Sequence, residues 1–160
     1  MPLAQKITPY LWFDHQALEA AEFYVSLFND SKIVSVSHYG EAGPAPAGSV
    51  MSVVFQLEGQ QFMALNGGPR FPFTDAISFF VDCADQAEVD ALWDKLVAGG
   101  NGTACGWLKD RYGLSWQIIP RTLMDMLDDH DPARVRRVTE AMLKMVKIDV
   151  AELQRAYDGR

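Results

Sequence analysis

The chain of 160 residues is long enough for one ordinary domain, and hydrophobic residues make up 49% of it, which supplies a core without a disulfide framework. Its net charge of −7 excludes binding to free nucleic acid, because no stripe of Lys or Arg overcomes the repulsion between the protein surface and the phosphates. No apolar run approaches the ~20 residues that a membrane-spanning helix requires. With no signal peptide at its N-terminus, we predict a cytoplasmic protein that binds neither nucleic acid nor membrane.

The first half of the chain predicts the order strand, helix, strand, strand, strand. An apolar and aromatic segment at 7–13 favours a strand, and Asp14 offers an N-cap for the helix that follows, through Phe28. Glu58-Gly59 is a hairpin turn signal between the last two strands. The three later strands are predicted at about 33–39, 49–57 and 60–66.

The same order restarts after a Gly-Gly-Pro break at 67–69. An apolar strand is predicted near 76–81, followed by a helix with an acidic capping box at Asp85 and Glu88. Only two more strands are evident, near 103–109 and 114–120, so the second copy lacks one strand by this count. Duplicated units of this kind usually pack so that each covers the other.

The last 40 residues are predicted to be helical. A short helix is predicted around position 123, where Leu123 lies on its apolar side. The next helix begins at Asp131-Pro132, and Asp149 caps the last one. An apolar seam of Val135, Val138, Met142 and Met145 suits packing against another element, either in the same domain or in a second chain.

Four segments resemble the PhnB-like group of the vicinal oxygen chelate superfamily, which includes glyoxalases, bleomycin-resistance proteins and ring-cleaving dioxygenases. They are NGGP at 66–69, AISF at 76–79, GWLKDRYGLSWQIIP at 106–120 and AMLKMVKID at 141–149. Some members of this group are labelled as demethylubiquinone methyltransferase-like. This chain has no Gly-rich strand-to-helix turn for S-adenosylmethionine, since its first strand runs into Phe13-Asp14-His15.

The resemblance implies an α+β fold of paired βαβββ modules whose strands curve around a cavity, with C-terminal helices in this chain. We expect a single domain over 1–160, with module one at about 6–66, module two at about 76–120 and a helical tail at about 121–160. Members of the superfamily are commonly homodimers. The apolar seam of the tail and the aromatic strands agree with that expectation.

Alternation along the strands predicts which side chains face the cavity. The first strand contributes Thr8, Tyr10 and Trp12. The fourth contributes Phe62, Ala64 and Asn66. Module two contributes Ala76, Ser78, Phe80, Ser115, Gln117 and Ile119. From these we predict that a planar or partly apolar ligand binds to Thr8, Tyr10, Trp12, Asn66, Ser78 and Gln117, unless these side chains fill the cavity themselves.

The resemblance also implies where metal-dependent relatives hold their ion. The four ligand positions correspond to Thr8, approximately Phe62, Ala76 and Gln117, of which only Gln117 offers an oxygen that could coordinate, and a weak one. None of the three histidines lies at a ligand position: His15, His38 and His130. We therefore predict no metal and no other cofactor.

Three functions remain open from the sequence. The first is a metal-independent protein that binds a small molecule. The second is a metal-free isomerase, lyase or transferase, for which only Tyr10 and Asp110 qualify by position as an acid or base. The third is a dimeric interaction protein with a vestigial cavity. Asp110 itself is read first as a turn residue, and no catalytic residue can be named.

Overall fold

The computed structural model describes residues 5–160, and the chain divides into two compact units. The N-terminal unit extends to Pro72 and the C-terminal unit comprises Phe73–Arg160. The N-terminal unit contains β1 (Tyr10–Phe13), α1 (Ala17–Leu27), β2 (Lys32–His38), β3 (Val50–Leu57) and β4 (Gln60–Asn66). The C-terminal unit contains β5 (Ser78–Cys83), α2 (Gln86–Val97), β6 (Asn101–Gly102), β7 (Trp107–Lys109), β8 (Ser115–Pro120), α3 (Arg121–Leu127), α4 (Pro132–Met142) and α5 (Val150–Asp158).

The N-terminal unit is a four-stranded sheet in the order β1-β4-β3-β2 with α1 packed on one face. β1 runs parallel to β4, and the other neighbours are antiparallel. The turn between β3 and β4 has positive φ at Glu58 (47°) and Gly59 (80°), which matches the right-handed twist of a hairpin and confirms the predicted turn. On the helix side, the rings of Tyr24, Phe55 and Phe62 pack in succession and form the core.

The C-terminal unit repeats this topology, with a sheet in the order β5-β8-β7-β6 and α2 against one face. The predicted absence of one strand is therefore wrong. The segment predicted as one strand near 103–109 contains a turn, and the missing strand is the two-residue β6, which pairs with β7. Both βαβββ modules of the predicted α+β fold are present, while the single-domain organisation stays a prediction.

The tail helices belong to the C-terminal unit. The predicted seam packs there, since Val138 and Met145 are buried in a cluster with the end of β8 and with α3 and α5. The loop after β6 also holds the tail, because the backbone N–H groups of Cys105 and Gly106 donate to the carbonyls of Met145 and Val146 at 2.9 and 2.8 Å. The seam thus has its partner within its own unit.

Candidate functional site

The sheet of the N-terminal unit has an open face, opposite the face that α1 covers. In the parallel register of β1 and β4, Tyr10 lies beside Met63 and Trp12 beside Leu65, so these four side chains share one side of the sheet. Leu11 is buried on the other side, toward α1. Tyr10 is 51% exposed, and the remaining three are half-buried. We call the side formed by Tyr10, Trp12, Met63 and Leu65 the open face of the N-terminal sheet.

The connector that follows β4 fixes the indole of Trp12. The indole N–H donates to the carbonyl of Gly68 at 2.9 Å, and the ring of Phe71 meets the indole edge-on with centroids 4.9 Å apart. Gly67 lies beneath the indole so closely that a Cβ added there would be 2.2 Å from Trp12 Cζ2. Only glycine allows this approach, and Trp12 is consequently held in one orientation at the edge of the open face.

Asn66 does not face the same way as Tyr10 and Trp12. It is paired with Phe13 on the helix side of the sheet, where its Oδ1 accepts from the backbone N–H of Ala17 at 2.8 Å and its Nδ2 donates to the carbonyl of Val50 at 3.2 Å. Asn66 therefore accepts from one of the N–H groups that the first turn of α1 leaves without an intrahelical partner. The predicted N-cap at Asp14 is wrong, since α1 begins three residues later, at Ala17.

The predicted inward set on β4 is accordingly wrong by one residue. The hairpin pairs Phe55 with Phe62, and Phe55 belongs to the core beneath α1, so Phe62 and Ala64 take the core side as well. A one-residue shift reverses a whole strand. Thr8 precedes β1, is half-buried, and its hydroxyl donates to the carbonyl of Gln5 at 3.4 Å.

The C-terminal sheet has its own open face, opposite α2. Ser78 is paired with Ser115 and Phe80 with Gln117, so these four side chains point to one side, as predicted. The Gln117 amide donates to Ser78 Oγ at 2.9 Å. Ile119 continues this row but is buried in the tail cluster, which removes it from the predicted set. The structure thus brings Ser78 and Gln117 together; their role in binding stays a prediction.

Two residues of this face were missed from the sequence. In the antiparallel register of β7 and β8, Trp107 pairs with Gln117 and Lys109 pairs with Ser115. Lys109 Nζ lies 2.9 Å from Asp75 Oδ1, and that oxygen also accepts from Ser115 Oγ at 3.3 Å. The hydrogen bond from Lys109 holds the pKa of Asp75 below its ordinary value. We call the side formed by Ser78, Phe80, Trp107, Lys109, Ser115 and Gln117 the open face of the C-terminal sheet.

Asp110 is a buried anchor of the turn between β7 and β8. Its Oδ1 accepts from the backbone N–H groups of Tyr112 and Leu114 at 2.8 and 3.1 Å, and its Oδ2 accepts from the Trp116 indole at 3.0 Å. Only 2% of the residue is exposed. The turn ends at Gly113 with φ of 85°, as predicted. The carboxylate is engaged on both oxygens, which supports the turn role and leaves Tyr10 as the positional candidate for an acid or base.

A separate cleft of about 490 Å³ lies in the N-terminal unit beside the long loop between β2 and β3. Tyr39 and Asn66 line it together with the prolines of the loop, and the Tyr39 hydroxyl donates to the carbonyl of Asn66 at 2.7 Å. His15 stands at its margin, 3.4 Å from a carboxylate oxygen of Asp14. Among the predicted site residues, the cleft takes in Asn66.

The positions at which the resemblance implies metal ligands lack the side chains that catalytic metal ions prefer. Thr8 and Ala76 supply no imidazole or carboxylate, Phe62 points toward α1, and Gln117 offers a neutral amide. Across residues 5–160, no group of three or more His, Cys, Asp or Glu side chains is arranged to hold a metal ion. No helix in that part of the chain is both long and apolar enough to cross a membrane.

Comparison with known proteins places these features in a family. A model described as 3-demethylubiquinone-9 3-methyltransferase matches residues 5–119, which ends just before α3. A PhnB protein from Bacillus cereus is 41% identical, with 72% of this chain and 99% of that chain covered and a TM-score of 0.67. A protein from Pseudomonas aeruginosa is 22% identical, covers 73% and 98%, and shares the fold with a TM-score of 0.60. No curated protein was found to match the chain.

Proposed function

We propose that this chain, which belongs to the PhnB-like family of the glyoxalase and bleomycin-resistance superfamily, is a metal-independent small-molecule-binding protein. The ligand lies on the open face of the N-terminal sheet, against Tyr10 and Trp12. One observation carries the proposal: this face is aromatic and apolar even though α1 does not cover it, since α1 packs on the opposite side of the sheet. An apolar side of a sheet that is left half-exposed indicates a surface for another molecule.

The side chains of this face suit a planar apolar ligand. Burial of apolar surface contributes ~25 cal/mol per Å², so covering the exposed part of Tyr10 and Trp12 supplies a few kcal/mol. Met63, beside Tyr10 on the neighbouring strand, is a flexible side chain whose sulfur makes favourable contacts with aromatic rings. Trp12 loses little freedom on binding, because the connector already holds its indole.

Neutral hydroxyls border the apolar centre. Ser52 is paired with Leu65 and Ser35 with Val54, which places both serines on the open face of the N-terminal sheet. Each can give a ligand one hydrogen bond worth ~1 kcal/mol net. Because no charged group is required, we expect binding to change little with salt or between about pH 6 and 8.

Binding is tested by a thermal-shift screen of small neutral aromatic compounds, followed by calorimetry on the compounds that raise the melting temperature. Trp12→Ala and Tyr10→Ala are each expected to weaken binding by about tenfold or more. Phe23→Ala is the matched control, since Phe23 is a half-buried aromatic residue of the same unit on α1. If the two variants bind as tightly as the control, the face is wrongly assigned.

Metal independence is tested separately. The chemistry of Thr8, Ala76 and Gln117 motivates it, because imidazole and carboxylate ligands are replaced at these positions. Elemental analysis of the purified protein is expected to find no stoichiometric zinc, nickel, iron or manganese. About one ion per chain that is lost in Gln117→Ala would overturn this part of the proposal.

We also propose that the chain forms a homodimer. Each unit leaves large apolar side chains in solvent: Ile7 is 86% exposed in the N-terminal unit, and Ile77 is 68% exposed in the C-terminal unit. A second copy of the chain is the partner that would cover them. Sedimentation equilibrium at micromolar concentration is expected to give about twice the chain mass of 17.8 kDa. A stable species of 17.8 kDa refutes the dimer.

A cytoplasmic location is part of the same proposal. Cys83 and Cys105 are both free thiols, which accords with a reducing compartment. Cell fractionation is expected to recover the protein with cytoplasmic markers, and recovery in an oxidising compartment would contradict it.

A further inference from the structure

The open face of the C-terminal sheet carries its six side chains in two rows across three strands. One row is Ser78, Ser115 and Lys109, which are neighbours on β5, β8 and β7. The other row is Phe80, Gln117 and Trp107 on the same strands. Residues two apart on a strand are ~7 Å apart, and adjacent strands are ~4.8 Å apart. A polar, cationic row therefore runs beside a row with an aromatic ring at each end.

The polar groups of the two rows keep unused hydrogen-bonding capacity. The Gln117 amide uses one N–H on Ser78 Oγ, and the described residues provide no partner for its second N–H. The Lys109 ammonium uses one N–H on Asp75. Among residues 5–160, no second carboxylate lies within ion-pair distance of Lys109 Nζ. An ammonium, an amide and a hydroxyl on one side of a sheet form a donor set that suits a carboxylate.

Asp75 shows how a carboxylate meets this row. Its Oδ1 receives both Lys109 Nζ at 2.9 Å and the hydroxyl of the buried Ser115 at 3.3 Å. Asp75 lies outside the strands, just before β5, and its side chain is 62% exposed. Such an exposed ion pair contributes little to stability, so another carboxylate can replace it without disturbing the sheet. The carboxylate of Asp75 thus occupies the position that the carboxylate of a ligand would take.

The aromatic row selects the rest of the ligand. Phe80 is 48% exposed, and Trp107 is half-buried on the same side. A carboxylate bound at Lys109 would place a ring attached to it over the second row, because the rows are ~7 Å apart. A flat ring system gains contact with Phe80 and Trp107 there.

We propose that the open face of the C-terminal sheet is a binding site for aromatic carboxylates, in which Lys109 takes the carboxylate and displaces Asp75. The site consists of residues of the C-terminal unit alone, and the inference does not rest on the surface proposed on the N-terminal sheet. Lys109 and Asp75 have opposite effects. Lys109 attracts the ligand, and Asp75 competes with it.

The probe is 2-naphthoate, with its neutral amide 2-naphthamide as the comparison, titrated by calorimetry into the full chain. Naphthoate is expected to bind about tenfold or more tightly than the amide, and more weakly as salt rises. Lys109→Met is expected to reduce naphthoate binding by about tenfold or more. Asp75→Asn is expected to increase it by about threefold or more, since the competing charge is gone.

The same unit offers a matched control pair. Lys147 Nζ lies 2.7 Å from Asp90 Oδ1, and the side chains of Lys147 and Lys109 are both 39% exposed, but Lys147 belongs to the tail. Lys147→Met and Asp90→Asn are expected to leave naphthoate binding unchanged. Equal losses in Lys109→Met and Lys147→Met would show a general charge effect and overturn the site.

Two further variants at the same position test the site if Lys109→Met does not fold. Lys109→Arg is expected to keep binding within about threefold and Lys109→Gln to lose it, with circular dichroism confirming that both are folded. Equal binding by these two variants, or weaker binding in Asp75→Asn, overturns the inference. Trp12→Ala separates the two proposals. Loss of neutral ligands with retention of naphthoate in Trp12→Ala agrees with both proposals. Retention of naphthoate in Lys109→Gln would contradict this inference and leave the proposed function standing.

Discussion

The two units build the same βαβββ topology but secure the start of the helix in different ways. In the N-terminal unit one N–H group of the first turn of α1, that of Ala17, donates to Asn66, a strand residue 49 positions away in sequence. In the C-terminal unit α2 is capped locally, since Asp85 accepts from the N–H of Glu88 and Glu88 in return accepts from the N–H of Ala84. One fold thus tolerates both a distant and a local acceptor for an N–H group in the first turn of a helix.

The open faces of the two sheets differ in chemistry in a comparable way. The N-terminal face is apolar and aromatic at its centre, with Trp12 held by the connector. The C-terminal face carries Lys109, and its ammonium is paired with Asp75. The helix-covered sides of both sheets are apolar cores. Topology therefore constrains the covered side, while the open side is free to differ in chemistry between the two units.

The largest effect expected on this comparison comes from Asp110, the buried anchor of the turn between β7 and β8. Asp110→Ala removes the acceptor of three donors: the part-buried N–H of Tyr112, the buried N–H of Leu114 and the buried indole of Trp116. We expect the free energy of unfolding to fall by about 3 kcal/mol or more, measured by urea denaturation. Asp75→Asn, which alters an exposed carboxylate, is the control. A loss in Asp110→Ala no larger than in that control would contradict the anchor role.

A smaller effect distinguishes the two ways of capping. Asn66→Ala removes an acceptor from Ala17 and a donor to Val50, and we expect it to cost about 1–2 kcal/mol of unfolding free energy. Asp85→Ala removes one local bond, and we expect it to cost about 1 kcal/mol. Thermal and urea denaturation of the two variants measure the difference. The comparison fails if Asp85→Ala proves the more damaging change.

The smallest effect concerns the thiols, which both lie in the C-terminal unit. Burial, followed by the nearby charges of Glu88 and Asp82, raises the pKa of Cys83 from 9.0 to about 12. Since the folded-state pKa is the higher one, the stability this contributes is present below pH 9 and is lost as the pH rises toward 12. Cys83→Ala should flatten this alkaline loss in pH-dependent urea denaturation.

Thiol labelling gives the same comparison directly. At pH 8 a disulfide reagent is expected to modify Cys105, which is half-buried, well before Cys83, which is fully buried and protonated. In urea the two should react alike. Faster labelling in Cys105→Ser than in Cys83→Ala would contradict the assignment.

Local signals explain which parts of the fold were predictable. Asp85 with Glu88, Asp131 with Pro132, and Asp149 each act on N–H groups within three residues, and all three caps lie where the sequence predicts them. The helix–strand order followed from apolar periodicity for the same reason. β6 escaped prediction because two residues are too few to show any period.

The sites were only partly predictable because faces depend on register. Ser78 and Gln117 share a side, as predicted, since β5 and β8 pair over six residues without a register shift. Asn66 was assigned to the wrong side because the hairpin at Glu58 sets the register of β4, and alternation alone does not reveal it. The ion pair of Lys109 joins residues 34 positions apart and has no local sequence signal.

The central claim is that a neutral aromatic ligand binds to the open face of the N-terminal sheet. A crystal structure of the protein with a compound from the thermal-shift screen tests it most directly. The result expected is ligand density against Tyr10 and Trp12, on the side opposite α1. Density confined to the cleft beside Tyr39, with Tyr10 left in solvent, would contradict it.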